Sequence, residues 1–247
     1  MSRGKSKRFL SYDIHQVRRK KVRGVFRFIL SLFIVFLALT HFLVTPYGIR
    51  SSSMLPMIQE RERVVCLPLV YGVFIPFTDI RILSFGEPKR GDIVIAEPGY
   101  YSPPPWYIRA ADPVVRFFTL QQVRIAADAE ETHESSLILK RLIALPGDTV
   151  LMRNNVAYIK PRGEADFIRE FELLKKEYTI TLPDMAGGPL EERSLGSYPE
   201  RILGDNEYFL LGDNRSASQD SRYWGPVGFE RIRGKIVLSY WPKVRIR

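Results

Sequence analysis

The chain has 247 residues, 45% of them hydrophobic, enough for one large domain or two small ones with a real core. Its net charge of +10 points first to nucleic acid or an acidic surface, but the charge is local: residues 1–27 hold ten Lys/Arg against one acid, and residues 28–247 hold 27 against 26. That distribution argues against a folded nucleic-acid-binding domain.

One cysteine, Cys66, excludes an intrachain disulfide, and its setting in Arg63-Val64-Val65-Cys66-Leu67 reads as a strand with a buried thiol. Residues 1–27 read as a basic tail of little periodicity. The run Arg18-Arg19-Lys20-Lys21 with Arg23 and Arg27 suits anionic lipid head groups, with nucleic acid as the alternative. Residues 28–44 carry no formal charge, and as a helix they span about 25 Å. They are read as a transmembrane helix, with a cleavable signal peptide as the competing reading. The basic flank then sets the N-terminus in the cytoplasm, so that the chain is a single-pass protein of the cytoplasmic (inner) membrane with residues 45–247 on the outer face.

Beyond Pro46 and Gly48 the chain is extended up to Ser53, and residues 60–67 alternate as a strand would. Residues 71–85 are aromatic and aliphatic, fitting either a core or a membrane-facing surface. A turn at Pro88-Lys89-Arg90-Gly91-Asp92 leads into a buried strand, Ile93-Val94-Ile95-Ala96. Residues 100–136 begin with a proline-aromatic run and read as an insertion. A helix is expected over 114–129, started by Asp112-Pro113, with an exposed acidic stretch after it. Leu137-Ile138-Leu139 leads as a strand into Lys140. Residues 150–205 read as a β-rich subdomain that opens on a hairpin at Arg153-Asn154-Asn155. A helix is expected over 166–176 and a strand over 178–182; Tyr208-Phe209-Leu210-Leu211 and residues 236–240 add further strands. The fold class expected is mainly β: an N-terminal transmembrane helix, then an antiparallel sheet with a few short helices.

Most catalytic patterns are missing. There is no HExxH, no cysteine-rich zinc pattern and no G-x-S-x-G. Of three histidines, His15 lies in the tail, His41 in the apolar run, and only His133 is left for a Ser-His-Asp triad, in an acidic loop. A serine can instead use lysine as its base, provided that the ammonium loses its proton near neutral pH, which burial among apolar groups promotes. Lys140 lies between Leu137-Ile138-Leu139 and Leu142-Ile143-Ala144-Leu145, and strand alternation puts it on one face with Ile138.

Five features then occur in one order: the basic and apolar N-terminus, Ser51-Ser52-Ser53-Met54-Leu55-Pro56, Lys89-Arg90-Gly91-Asp92-Ile93-Val94, Lys140-Arg141-Leu142-Ile143-Ala144-Leu145-Pro146-Gly147-Asp148, and Gly212-Asp213-Asn214-Arg215-Ser216-Ala217-Ser218-Gln219-Asp220-Ser221-Arg222-Tyr223-Trp224-Gly225. With them the chain resembles the bacterial type I signal peptidases, serine endopeptidases that use a Ser-Lys dyad. The resemblance leaves out residues 100–136 and most of 161–200. It implies Ser53 as nucleophile and Lys140 as general base, and an oxyanion hole formed by the Ser53 N–H and the Ser51 hydroxyl. It also implies that Ser218 orients the Lys140 amine, that Asp220 and Arg222 form a supporting ion pair, and that Arg141 is structural. Met57, Ser52 and Ala144 depart from the family's usual Thr, Gly and Gly. The implied activity is removal of signal peptides from exported preproteins through an acyl-enzyme. The implied partners are those preproteins and membrane lipid, not nucleic acid, and no cofactor or metal is implied. A decayed membrane-anchored binding protein and a self-cleaving Ser-Lys regulator are the alternatives.

Overall fold

The computed structural model describes residues 5–74, 81–82, 85–101, 104–120, 122–123, 125, 137–174, 179–182 and 196–246. Helix α1 covers Lys5–Ala38, 34 residues, and passes into a π-helical turn at Leu39–Leu43. Strands β1 (Thr45–Gly48), β2 (Arg63–Leu67), β3 (Val73–Phe74), β4 (Arg81–Ile82) and β5 (Ile93–Ala96) follow. Helix α2 (Trp106–Phe118) precedes β6 (Ile138–Ala144), β7 (Thr149–Arg153), β8 (Val156–Lys160) and β9 (Ile168–Arg169). After the one-turn helix α3 (Glu170–Leu173) come β10 (Tyr198–Ile202), β11 (Glu207–Leu211), the one-turn helix α4 (Ser221–Trp224), β12 (Val227–Gly228), β13 (Ile232–Trp241) and β14 (Arg245–Ile246).

The mainly β expectation agrees with this architecture; the transmembrane helix does not. The α-helix begins within the basic segment, because Lys and Arg are good helix formers and no proline interrupts residues 5–38. Its charge-free part, residues 28–38, is about 16 Å long and ends where the π-turn begins. Among the described residues no helix is long and apolar enough to cross a membrane. This overturns the transmembrane reading of residues 28–44. It also overturns the single-pass inner-membrane placement, with its cytoplasmic N-terminus and outward-facing catalytic domain.

An eight-stranded antiparallel sheet carries the molecule, in the order β1-β2-β13-β5-β6-β11-β12, with β14 added to β13. A four-stranded sheet, β10-β7-β8-β9, follows β6 in the chain, and β3 pairs with β4. In β5 all four residues are buried, because the strand has apolar packing on both faces. Ile93 and Ile95 join Met54, Ile58, Val64, Cys66 and Ile236; Val94 and Ala96 join Tyr71, Leu142, Leu210 and Ile232. A third cluster, with Ile143, Val150, Met152, Ile159, Phe209 and Leu211, fastens the second sheet to the first. Burial pushes the Cys66 thiol up to about 12, in keeping with an inert core residue. Tyr71 is also fully buried and donates to Asp92 at 2.7 Å; burial, and then this bond, raise its phenol.

Two expected helices take different bounds. Asp112-Pro113 lies inside α2 and does not start it; Asp112 faces Arg116 at 3.8 Å one turn on. The helix begins after Pro105 and is held by tertiary contact, with the Phe117 ring edge-on to Phe33 and Phe36 at 5.2 and 5.3 Å. The part of that expected helix past residue 125 lies outside the described residues, as does His133. Of the helix expected over 166–176, the described part holds α3, preceded by β9, and residues 175–176 lie outside the described residues. Of the strand expected over 178–182, the described part makes an isolated bridge from Thr181 to Asn214.

Candidate active site

β6 lies between β5 and β11. Lys140 pairs with Val94 of β5, and on the other side β11 reaches only as far as Arg141. Alternation sets Lys140 on the face of Ile138 and Leu142, both packed in the apolar cluster of Tyr71 and Leu210. Its side chain is buried, and its Nζ donates to Ser53 Oγ at 2.9 Å. Burial lowers the Lys140 amine from 10.5 to about 8. Asp220 opposes this, Arg222 adds to it, and Asp213 opposes it.

Ser53 comes from the loop between β1 and β2. Met54 and Ile58 bury their side chains in the core and pin this loop. The Ser53 carbonyl accepts from Asn214 N at 2.9 Å, and the Ser52 carbonyl accepts from Asn214 Nδ2 at 3.2 Å. The Ser53 N–H donates to Ser51 Oγ at 3.1 Å, so the two groups expected in the oxyanion hole touch each other.

The third contributor is the loop from Gly212 to Arg222, which follows β11. Gly212 has to be glycine, because a Cβ there would collide with Ser218 Oγ and lie 2.7 Å from the Ser53 carbonyl. Its N–H donates to Asp220 Oδ2 at 3.0 Å. Asp220 accepts from Arg222 Nε at 2.8 Å, and both side chains are buried. Ser218 is buried beside Gly212, but among the described residues its Oγ has no hydrogen-bond partner, so the expected bond to the Lys140 amine is not made. Arg141, on the opposite face of β6 from Lys140, forms a two-pronged buried pair with Asp213 at 2.8 and 2.7 Å and donates to the Gly91 carbonyl. Ser51, Ser53, Lys140, Arg141, Ser218, Asp220 and Arg222 thus belong to one neighbourhood. Among the described residues no cluster of side chains could hold a metal ion.

The profile of the signal peptidase family, peptidase S26, matches residues 22–241. The chain belongs to this family. It is accordingly a hydrolase of the peptidase class. It is 24% identical to a signal peptidase I of Leptolyngbya laminosa over 80% of this chain and 69% of that protein. It is 26% identical to one of Pseudomonas fluorescens over 87% of this chain and 71% of that protein. With a signal peptidase I of Pseudomonas aeruginosa the identity is 28%, over 48% of this chain and only 30% of that protein's length.

The family resemblance implies no role for Asp213, Asn214 or Arg215, although all three lie in the stretch Gly212–Gly225. Arg215 is wholly buried against Glu170, with bonds of 3.0 and 2.7 Å, and its Nε donates to the Gly212 carbonyl. Glu170 stands outside every motif and nothing in the sequence marks it. Arg90 pairs with Asp148 at 2.6 Å, joining two motif blocks that the sequence shows only as turns.

Proposed function

We propose that this chain is a serine endopeptidase that removes signal peptides from exported preproteins, with Ser53 as nucleophile, Lys140 as general base and an acyl-enzyme as intermediate. The observation that carries this reading is the 2.9 Å contact between Lys140 Nζ and Ser53 Oγ, in a buried setting that lowers the amine to about 8. A neutral amine there accepts the Ser53 proton as Oγ attacks the scissile carbonyl carbon. The C–N bond then breaks, the amine returns the proton to the leaving nitrogen, and water hydrolyses the ester with Lys140 again as base. The Ser53 N–H and the Ser51 hydroxyl stabilise the oxyanion, which requires them to turn from each other toward it. We assign Ser218 to steadying the Lys140 amine, and Asp220, Arg222 and Arg141 to holding the loop and β6 in place.

The edge of β6 supports an extended substrate. Because β11 stops opposite Arg141, no described strand pairs with residues 138–140 on that side, and a peptide can add there as a strand. Residues 45–247 constitute the catalytic unit in this reading, with residues 100–136 as an insertion and 150–205 as a β-rich subdomain. Incubating purified chain with a preprotein bearing small residues at the first and third positions before the cut tests the assignment. The expected result is mature protein from the wild type and none from Ser53→Ala; cleavage by Ser53→Ala overturns it.

A further inference from the structure

Asn155 stands at the tip of the β7–β8 hairpin, outside every motif block. As a turn residue it needs only to tolerate its positive φ of 65°. Yet it is buried, and its N–H, carbonyl and Oδ1 each hold a hydrogen bond. Its N–H donates to the Gly196 carbonyl at 2.8 Å, its carbonyl accepts from Arg215 Nη1 at 2.9 Å, and its Oδ1 accepts from Arg222 Nη1 at 2.8 Å.

The last of these contacts has a distinctive position. Arg222 otherwise donates within its own loop: to both Asp220 oxygens, to the Arg215 carbonyl at 3.0 Å and to the Ser218 carbonyl at 3.1 Å. Those bonds fix the loop's internal shape. They do not fix where the loop sits. Asn155 Oδ1 is the acceptor through which this guanidinium is tied, among the described residues, to the second sheet. That sheet is held to β6 and β11 by the cluster of Ile143, Phe209 and Leu211, so the hairpin tip is a fixed point.

We infer that Asn155 is a positioning residue for the peptidase reaction: by holding Arg222 it sets the place of Ser218 and Asp220 relative to Lys140 and Ser53. The inference rests on the Ser53–Lys140 reading of the site. The charged groups around the Lys140 amine are Asp220, Arg222 and Asp213, with Arg141 next to it in the chain, so the position of Arg222 bears on both geometry and charge.

Asn155→Gly and Asn155→Asp test this. Glycine accepts the positive φ and keeps both backbone bonds, so the variant removes the side chain and with it the Oδ1 acceptor, while Asn155→Asp keeps the side chain's size and that acceptor. Aspartate keeps the acceptor and adds a negative charge against Arg222. Preprotein cleavage is measured as kcat and KM, and the Lys140 amine is titrated by NMR in carbon-13 lysine-labelled protein, a readout independent of turnover. Asn155→Gly is expected to lower kcat about tenfold with KM within about twofold. Asn155→Asp is expected to restore kcat to within about threefold and to raise the Lys140 midpoint by about half a unit, because added negative charge favours the ammonium. Wild-type kcat in Asn155→Gly, or a loss in Asn155→Asp equal to that in Asn155→Gly, overturns the inference. Should Asn155→Gly fail to fold, an unmoved Lys140 midpoint in Asn155→Asp overturns it instead. If the wild type cleaves no preprotein, the functional reading fails while the titration still tests the placement of Arg222.

Discussion

Lys140 Nζ lies 2.9 Å from Ser53 Oγ across 87 residues of sequence, and two separate parts of the fold bring them together. Lys140 is fixed by its register against Val94 in the main sheet. Ser53 is fixed by its carbonyl bond to Asn214 and by the burial of Met54 beside it. Both anchors hold before any substrate binds, so in the proposed reaction little ordering remains for the proton transfer.

Ser51 tests the oxyanion assignment. Its hydroxyl now accepts from the Ser53 N–H at 3.1 Å. Removing it frees that N–H but deletes one donor to the developing charge, and a lost donor of this kind costs about 3 kcal/mol. Ser51→Ala is expected to lower kcat roughly a hundredfold with KM changed by less than about threefold. Steady-state kinetics on a preprotein or a peptide substrate check it.

The buried amine also carries a stability cost. An unfolded lysine holds its proton up to about 10.5, whereas the folded Lys140 releases it near 8. Between these values the unfolded chain binds more protons, so stability rises with pH across that window and is lower below it. The penalty at pH 7 amounts to about 3 kcal/mol. Lys140→Met is expected to be more stable than the wild type at pH 7, with the difference shrinking as pH rises from 8 toward 10.5. Urea unfolding at three pH values measures this.

Arg141 and Asp213 lie behind the site as a desolvated pair with two hydrogen bonds. Removing one partner leaves the other buried and unpaired, which costs about 3–5 kcal/mol. Asp213→Ala alone is therefore expected to destabilise more than the double variant Arg141→Met/Asp213→Ala. Chemical denaturation of the two single variants and the double variant closes the cycle.

Much of the fold was legible because it follows local pattern. Apolar runs mark Ile93–Ala96 as a buried strand and the start of β6, and alternation puts Lys140 on the face of Ile138. The motif blocks identified the loops that converge, since each holds the residues that need close approach, Gly212 above all. The helices were less legible. Hydropathy marked residues 28–44, but helix formation is a backbone property shared by the basic residues before them, and the π-turn at Leu39–Leu43 is not visible in composition. The start of α2 was misplaced because its packing on Phe33 and Phe36 outweighs the Asp112-Pro113 signal. The partners of the buried arginines were not legible at all. Glu170 and Asn155 act through bonds to residues 45 and 67 positions away, and no spacing rule spans such distances.

The central claim, that Lys140 is the base for Ser53, is tested most directly by kcat/KM for preprotein cleavage from pH 5 to 9 in the wild type and in Lys140→Ala. The free-enzyme profile reports the proton-accepting group. With the amine at about 8, the wild type is expected to show one ascending limb with its midpoint near that value, and Lys140→Ala no measurable cleavage at any pH. A flat wild-type profile across this range, or activity that survives in Lys140→Ala, would contradict it.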